Sequence, residues 1–133
     1  MPQLIHPELS YTVRGVLLNV YNSLGPMLKE EFYEQAIAIG LEKRGIRCET
    51  QKQLAYRYIK HLPIEYDGQL LGEQEARLIL IEDKLLLTVY ALRNADETLA
   101  EQLKARMRRL DVHLGLLANF HDTRLSVMPV RLK

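Results

Sequence analysis

The sequence predicts an α+β domain in which helices flank a mixed central β-sheet. Three observations carry that prediction. Two segments with apolar residues at helical spacing fill the N-terminal third. Two apolar runs, LILI (78–81) and LLLTVYAL (85–92), face each other across the polar break Glu82-Asp83-Lys84. A basic amphipathic segment then leads into a further apolar run, VHLGLLANF (112–120). Helices and strands therefore follow one another along one chain of single-domain length, residues 1–133.

Each element has a local reason. Pro7 suits the first turn of a helix, and Val13, Val16, Leu17, Val20 and Leu24 recur on one face, so a helix is expected over about 7–23. Gly25-Pro26 ends it. A second helix is expected from about Lys29 to Arg44, with Glu30, Glu31 and Glu34 near its positive end and Lys43-Arg44 near its negative end. Gly45 is its expected C-cap. Ile46 to Cys48 should enter a strand, and the residues up to Leu62 read as an extended segment or a long hairpin. Pro63 to Tyr66 reads as a strand and Asp67-Gly68 as a turn. The apolar hairpin follows, about 74–81 and 84–92. Asn94-Ala95-Asp96-Glu97 resembles a capping box opening a third helix, whose Leu99, Leu103, Met107 and Leu110 form one stripe. A buried strand over 112–120 and a short one over 124–130 complete the order, with Pro129 placing the last at a sheet edge.

Composition narrows the function classes. The chain is 47% hydrophobic and 26% charged, ordinary for a globular domain. No apolar run approaches the roughly 20 residues that span a bilayer, and MPQLIHPELS lacks the features of a signal peptide. One cysteine, Cys48, excludes an internal disulfide, so a reducing cytoplasm is the expected location. His6, His61, His113 and His121 show no metal-ligand spacing. No cofactor is expected. Charge is unevenly spread: acids exceed bases by four over 1–102, and bases exceed acids by five over 103–133. The basic end suits an anionic partner, or is a solvated helix face.

Within the hairpin, a two-residue loop at Glu82-Asp83 would pair 81 with 84 and 77 with 88. Alternation then gathers Glu75, Arg77, Thr88 and Tyr90 on one face, with Leu78, Leu80, Leu85, Leu87 and Val89 on the other. The polar patch is either the floor of a cleft or the end where the sheet meets solvent.

Three blocks carry a family resemblance: LGPMLKEEFYEQAIAIGLEKRGI (24–46), YDGQLLGEQEARLILIEDKLLL (66–87) and QLKARMRRLDVHLGLLANF (102–120). In order and spacing they resemble the GxxExxY family, small bacterial and archaeal proteins of the PD-(D/E)XK nuclease superfamily. The resemblance spans about 5–133 and implies the restriction-endonuclease-like core. It further implies a Mg²⁺ site built from an Asp on one strand and the Glu of a Glu-x-Lys pair on the next, a hard cation needing carboxylate oxygen. By that resemblance Arg77 stands at the Asp position, and Thr88 and Tyr90 stand at the Glu and Lys positions. Met27 replaces the hallmark Gly and Arg106 replaces a helix-borne Tyr, while Glu30, Tyr33, Gln102 and Asn119-Phe120 are retained.

The expected protein is a nuclease fold without its hydrolytic site, with no bound metal. Glu30, Tyr33, Glu75, Arg77, Gln102 and Arg106 are its candidate cleft residues. Arg77 is expected to pair with Glu30, because a carboxylate facing a vacated site needs a partner. Arg77 and Arg106 suit phosphate, so DNA or RNA is the first expected ligand. Tyr56 and Tyr58, interleaved with Lys52, Arg57 and Lys60, either add base stacking or follow strand alternation. Two alternatives stand beside this reading. One is a homodimer or protein-interaction subunit using the edge strand 124–130. The other is a residual Mg²⁺ nuclease with ligands relocated to Glu30, Glu73 and Glu75.

Overall fold

A computed structural model describes residues 6–43, 53–93, 97–121 and 123–132. Its elements are α1 (Pro7–Leu24), α2 (Glu30–Lys43), β1 (Tyr56–Tyr66), β2 (Gln69–Ile81), β3 (Leu85–Tyr90), α3 (Glu97–Leu110), β4 (Leu114–Asn119) and β5 (Ser126–Arg131). The expected C-cap Gly45, the strand entry Ile46–Cys48, Lys52 and the capping-box residues Asn94–Asp96 lie outside the described residues.

The five strands form one mixed sheet in the order β1-β2-β3-β4-β5. β3 and β4 are parallel, joined through α3, and every other neighbouring pair is antiparallel. This is the α+β architecture expected of a PD-(D/E)XK core. β3 reads as a near-continuous apolar run because both of its faces are covered. On one face Ile79, Ile81, Leu85, Leu87 and Val89 pack against α1 and α2 through Val13, Leu17, Tyr33, Ile37 and Leu41. On the other, Leu78, Leu80, Leu86 and Leu117 pack against Leu103 and Met107 of α3.

Two strand expectations change. Residues 56–66 form one long edge strand that runs through Pro63, and the long hairpin is β1 with β2. An edge strand tolerates Pro63 because, among the described residues, no outer neighbour needs its missing N–H. The turn joining β1 and β2 carries positive φ at Asp67 (52°) and Gly68 (76°), the primed geometry that matches the strand twist. At the other end of the sheet Pro129 sits in β5, an edge strand as expected.

α1 and α2 approach closely at Gly40. A Cβ there would lie 2.6 Å from Cγ1 of Val16, whose β-branched side chain has little room to turn. Gly40→Ala should therefore destabilise by about 1 kcal/mol, overpacking of about 2 kcal/mol being offset by roughly 1 kcal/mol of helix propensity. Adding Val16→Ala should turn the Gly40→Ala effect neutral or stabilising in a urea-unfolding double-mutant cycle. Additive effects would show that the helices do not meet there.

Candidate functional site

The site arises where the sheet splays. Pairing of β2 with β3 stops at Leu78 opposite Thr88. Beyond that point β2 continues on β1 alone, and β3 continues to Tyr90 on β4 alone. The notch between them opens into a cleft of about 740 Å³. α2 lines one side with Glu30, Glu31, Glu34 and Gln35, and α3 lines another with Gln102 and Arg106. Tyr58, Lys60, His61, Glu75 and Arg77 come from β1 and β2, and Thr88 and Tyr90 from β3. Seven of the predicted site residues thus meet in one cleft: Glu30, Glu75, Arg77, Thr88, Tyr90, Gln102 and Arg106.

Their arrangement differs from the expected one. Glu82 and Asp83 do make the tight turn, with φ of 55° and 53° and a bond from Lys84 N to Ile81 O. The ladder resumes one residue late, with Ile81 opposite Leu85 and Leu78 opposite Thr88. A one-residue slip exchanges faces. Thr88 therefore shares the α3 face with Leu78 and Leu86, and Tyr90 packs on that same core. Arg77, next to Leu78, reaches the α2 side. An irregularity in the β1–β2 ladder between the pairs Ile59–Leu78 and His61–Glu75 places an extra residue in β2 beside Arg77. The four polar residues share a cleft, not a face.

Thr88 is 2% exposed, and its hydroxyl donates to the Arg77 carbonyl at 3.2 Å. Its oxygen is thus engaged at the point where the two strands part. The Arg77 guanidinium pairs with Glu34 at 3.0 Å, one helical turn beyond the expected partner Glu30. Burial pushes the Glu34 carboxyl above its ordinary 4.5, and Arg77 pulls against that rise without cancelling it. Glu30 and Glu31 add to the upward shift. The Tyr58 hydroxyl donates to the Glu34 carbonyl at 3.0 Å, and that of Tyr56 to the Glu42 carboxylate. The second bond, first among the causes, pushes Tyr56 up to about 12. Both tyrosines are thereby tied to α2.

Tyr33 belongs to the core, contrary to its expected place in the cleft. It is fully buried and stacks on Phe120 with ring centroids 4.1 Å apart. Its hydroxyl donates to the Gly25 carbonyl at 2.6 Å and accepts from Leu28 N at 2.9 Å, so it fastens the α1–α2 connection. The neighbouring Asn119 clasps the exit of β3. Its Oδ1 accepts from Leu92 N (3.2 Å) and His121 N (3.1 Å), and its Nδ2 donates to the Leu92 carbonyl (3.0 Å).

Charge in the cleft is divided. Glu30, Glu31, Glu34 and Glu75 stand against Lys60, Arg77 and Arg106, with the acids chiefly on the α2 wall. Among the described residues, no three His, Cys, Asp or Glu side chains gather where a metal ion could sit. Glu34 and Lys60 were not singled out as cleft residues from the sequence. For Glu34 the available signal was its position one turn after Glu30.

Two outcomes follow from this geometry. Tyr33→Phe leaves the Gly25 carbonyl and the Leu28 N–H without their partner and should cost about 2 kcal/mol by thermal or urea unfolding. Equal stability would show the hydroxyl to be dispensable. For Glu34, a folded pKa above the unfolded one means its stabilising contribution is full below about 4.5 and is lost as pH rises through the folded value. Carboxyl NMR titration should place Glu34 above its ordinary value, and Arg77→Ala should raise it further. A fall on Arg77→Ala would contradict the ion pair.

Comparison with known proteins adds one finding. The PD-(D/E)XK nuclease superfamily matches residues 7–131. No curated protein and no solved structure matches the chain. The match runs from the start of α1 to the end of β5, and so takes in the splayed sheet, the cleft and both flanking helix layers. The chain belongs to the PD-(D/E)XK nuclease superfamily.

Proposed function

We propose that this chain is a GxxExxY-type member of the superfamily that does not hydrolyse nucleic acid and serves as a binding module, with a nucleic-acid strand as its ligand. The observation that carries the first half is the content of the notch. Leu78, Thr88 and Tyr90 occupy the ends of the two parting strands, and none supplies a carboxylate or a lysine. Superfamily chemistry calls for a divalent cation on carboxylate oxygens. The residues present do not fit that cation. Thr88 spends its hydroxyl on a backbone carbonyl, Arg77 brings positive charge, and Glu34 is committed to Arg77.

Support for a nucleic-acid ligand comes from the α3 wall. Gln102, Arg106 and Arg109 lie on one helical stripe, the first two facing the cleft. Arginine suits bidentate contact with phosphate. The acidic α2 wall would repel a backbone, so the strand would follow the α3 side, with Arg106 as its phosphate contact.

The test is binding of labelled single- and double-stranded DNA and RNA, read by anisotropy across a salt series. Affinity should fall log-linearly with salt, and Arg106→Ala should weaken binding to all sequences and lower the slope by about 1. Absence of binding at low salt would remove the ligand. Cleavage in Mg²⁺ or Mn²⁺ that disappears with Glu75→Ala would overturn the non-hydrolytic reading.

A further inference from the structure

We infer that the distal half of the β1–β2 hairpin is an arm that docks onto a second copy of this chain. This inference does not depend on the cleft having a ligand. β2 leaves β3 at Leu78 and runs on to Gln69, roughly 25–30 Å at a strand's rise per residue. Among the described residues, only β1 pairs with it over that length. A lone two-stranded ribbon is marginal in water unless something covers it. The tip nevertheless carries three large apolar side chains in solvent: Tyr66 is 75% exposed, Leu70 64% and Leu71 67%.

Charge selects the partner. From His61 to Ala76 the hairpin holds Glu65, Asp67, Glu73 and Glu75 and no Lys or Arg. Such an arm repels a phosphate backbone and an anionic bilayer alike and requires a basic protein surface with apolar ground. The chain itself supplies one. Lys104 and Arg108 lie one turn apart on the flank of α3 opposite to Gln102 and Arg106; Lys104 meets Glu101 at 3.3 Å, an exposed pair worth little in water, so the cationic part of the flank is its C-terminal half. On the same side of the sheet as α3, Met128 of β5 is 47% exposed and, by strand alternation, shares the face of Val130, which packs in the α3-side core. β1 and β5 are opposite edges of the sheet, so an arm cannot close on its own α3–β5 flank. Two copies can exchange arms reciprocally, which closes as a two-fold pair.

The test is the mass of the full chain in solution, by light scattering on a sizing column over a concentration series at low and high salt. The wild type should run at twice 15.4 kDa and dissociate as salt rises. Leu70→Ser with Leu71→Ser, and separately Lys104→Glu with Arg108→Glu, should each give a folded monomer by circular dichroism. Glu65→Lys with Glu73→Lys should pair only with the Lys104→Glu, Arg108→Glu variant, restoring one dimer from two monomers. Nucleic-acid binding should survive the Leu70→Ser, Leu71→Ser change, which separates this inference from the cleft reading. A wild type monomeric at every concentration, or a dimer untouched by the arm substitutions, would overturn it, the former leaving the arm to a different basic protein.

Discussion

The burial of β3 on both faces is the constraint on which the rest of the structure depends. Leu85 to Val89 are almost wholly removed from water. A strand with apolar side chains on both sides needs a layer on each. α1 and α2 supply one and α3 the other, and α3 is also the crossover that lets β4 lie parallel to β3. Close approach of Gly40 to Val16 packs the first layer, and the Tyr33–Phe120 stack ties that layer to the end of β4.

The same constraint locates the cleft. β2 is held against β3 only as far as their shared apolar residues extend, from Ile81 to Leu78. Past Leu78, the residues of β2 are exposed or half-exposed, and the strand departs with β1. The notch thus lies between two helix layers of different charge, acidic on α2 and basic on α3. The residues singled out from the sequence divide there by role. Tyr33, Asn119 and Phe120 hold the layers and the strand exit together, while Arg77, Thr88 and Tyr90 stand along the parting strands. An ion pair between Arg77 and Glu34 bridges the acidic wall to the bulged strand.

Most of the fold was legible in the sequence. Helical periodicity marked α1 and α2 to within about a residue of their ends, and the apolar runs marked β3, β4 and the inner part of β2. The length of β1 was not, because its exposed, mixed residues lack a period and Pro63 reads as a boundary. Strand alternation brought Glu75 to the cleft, and family spacing brought the six other candidates there. It misplaced Tyr33, since a tyrosine whose hydroxyl serves two backbone groups looks in sequence like any site tyrosine.

The sequence by itself determined the helices, the apolar core strands and the absence of carboxylate at Arg77, Thr88 and Tyr90. Only the tertiary structure decided how these residues face one another. Lys84 adds one residue after the turn, so Leu78 and not Arg77 stands opposite Thr88, and Arg77 goes to α2 while Thr88 goes to α3. Register is strongly specified by pattern when one face is polar, because a slip would bury charge. Here both faces of the β2–β3 ladder are apolar from Leu78 to Ile81, and the pattern reads equally well in either register. The packing of two helix layers chose between them.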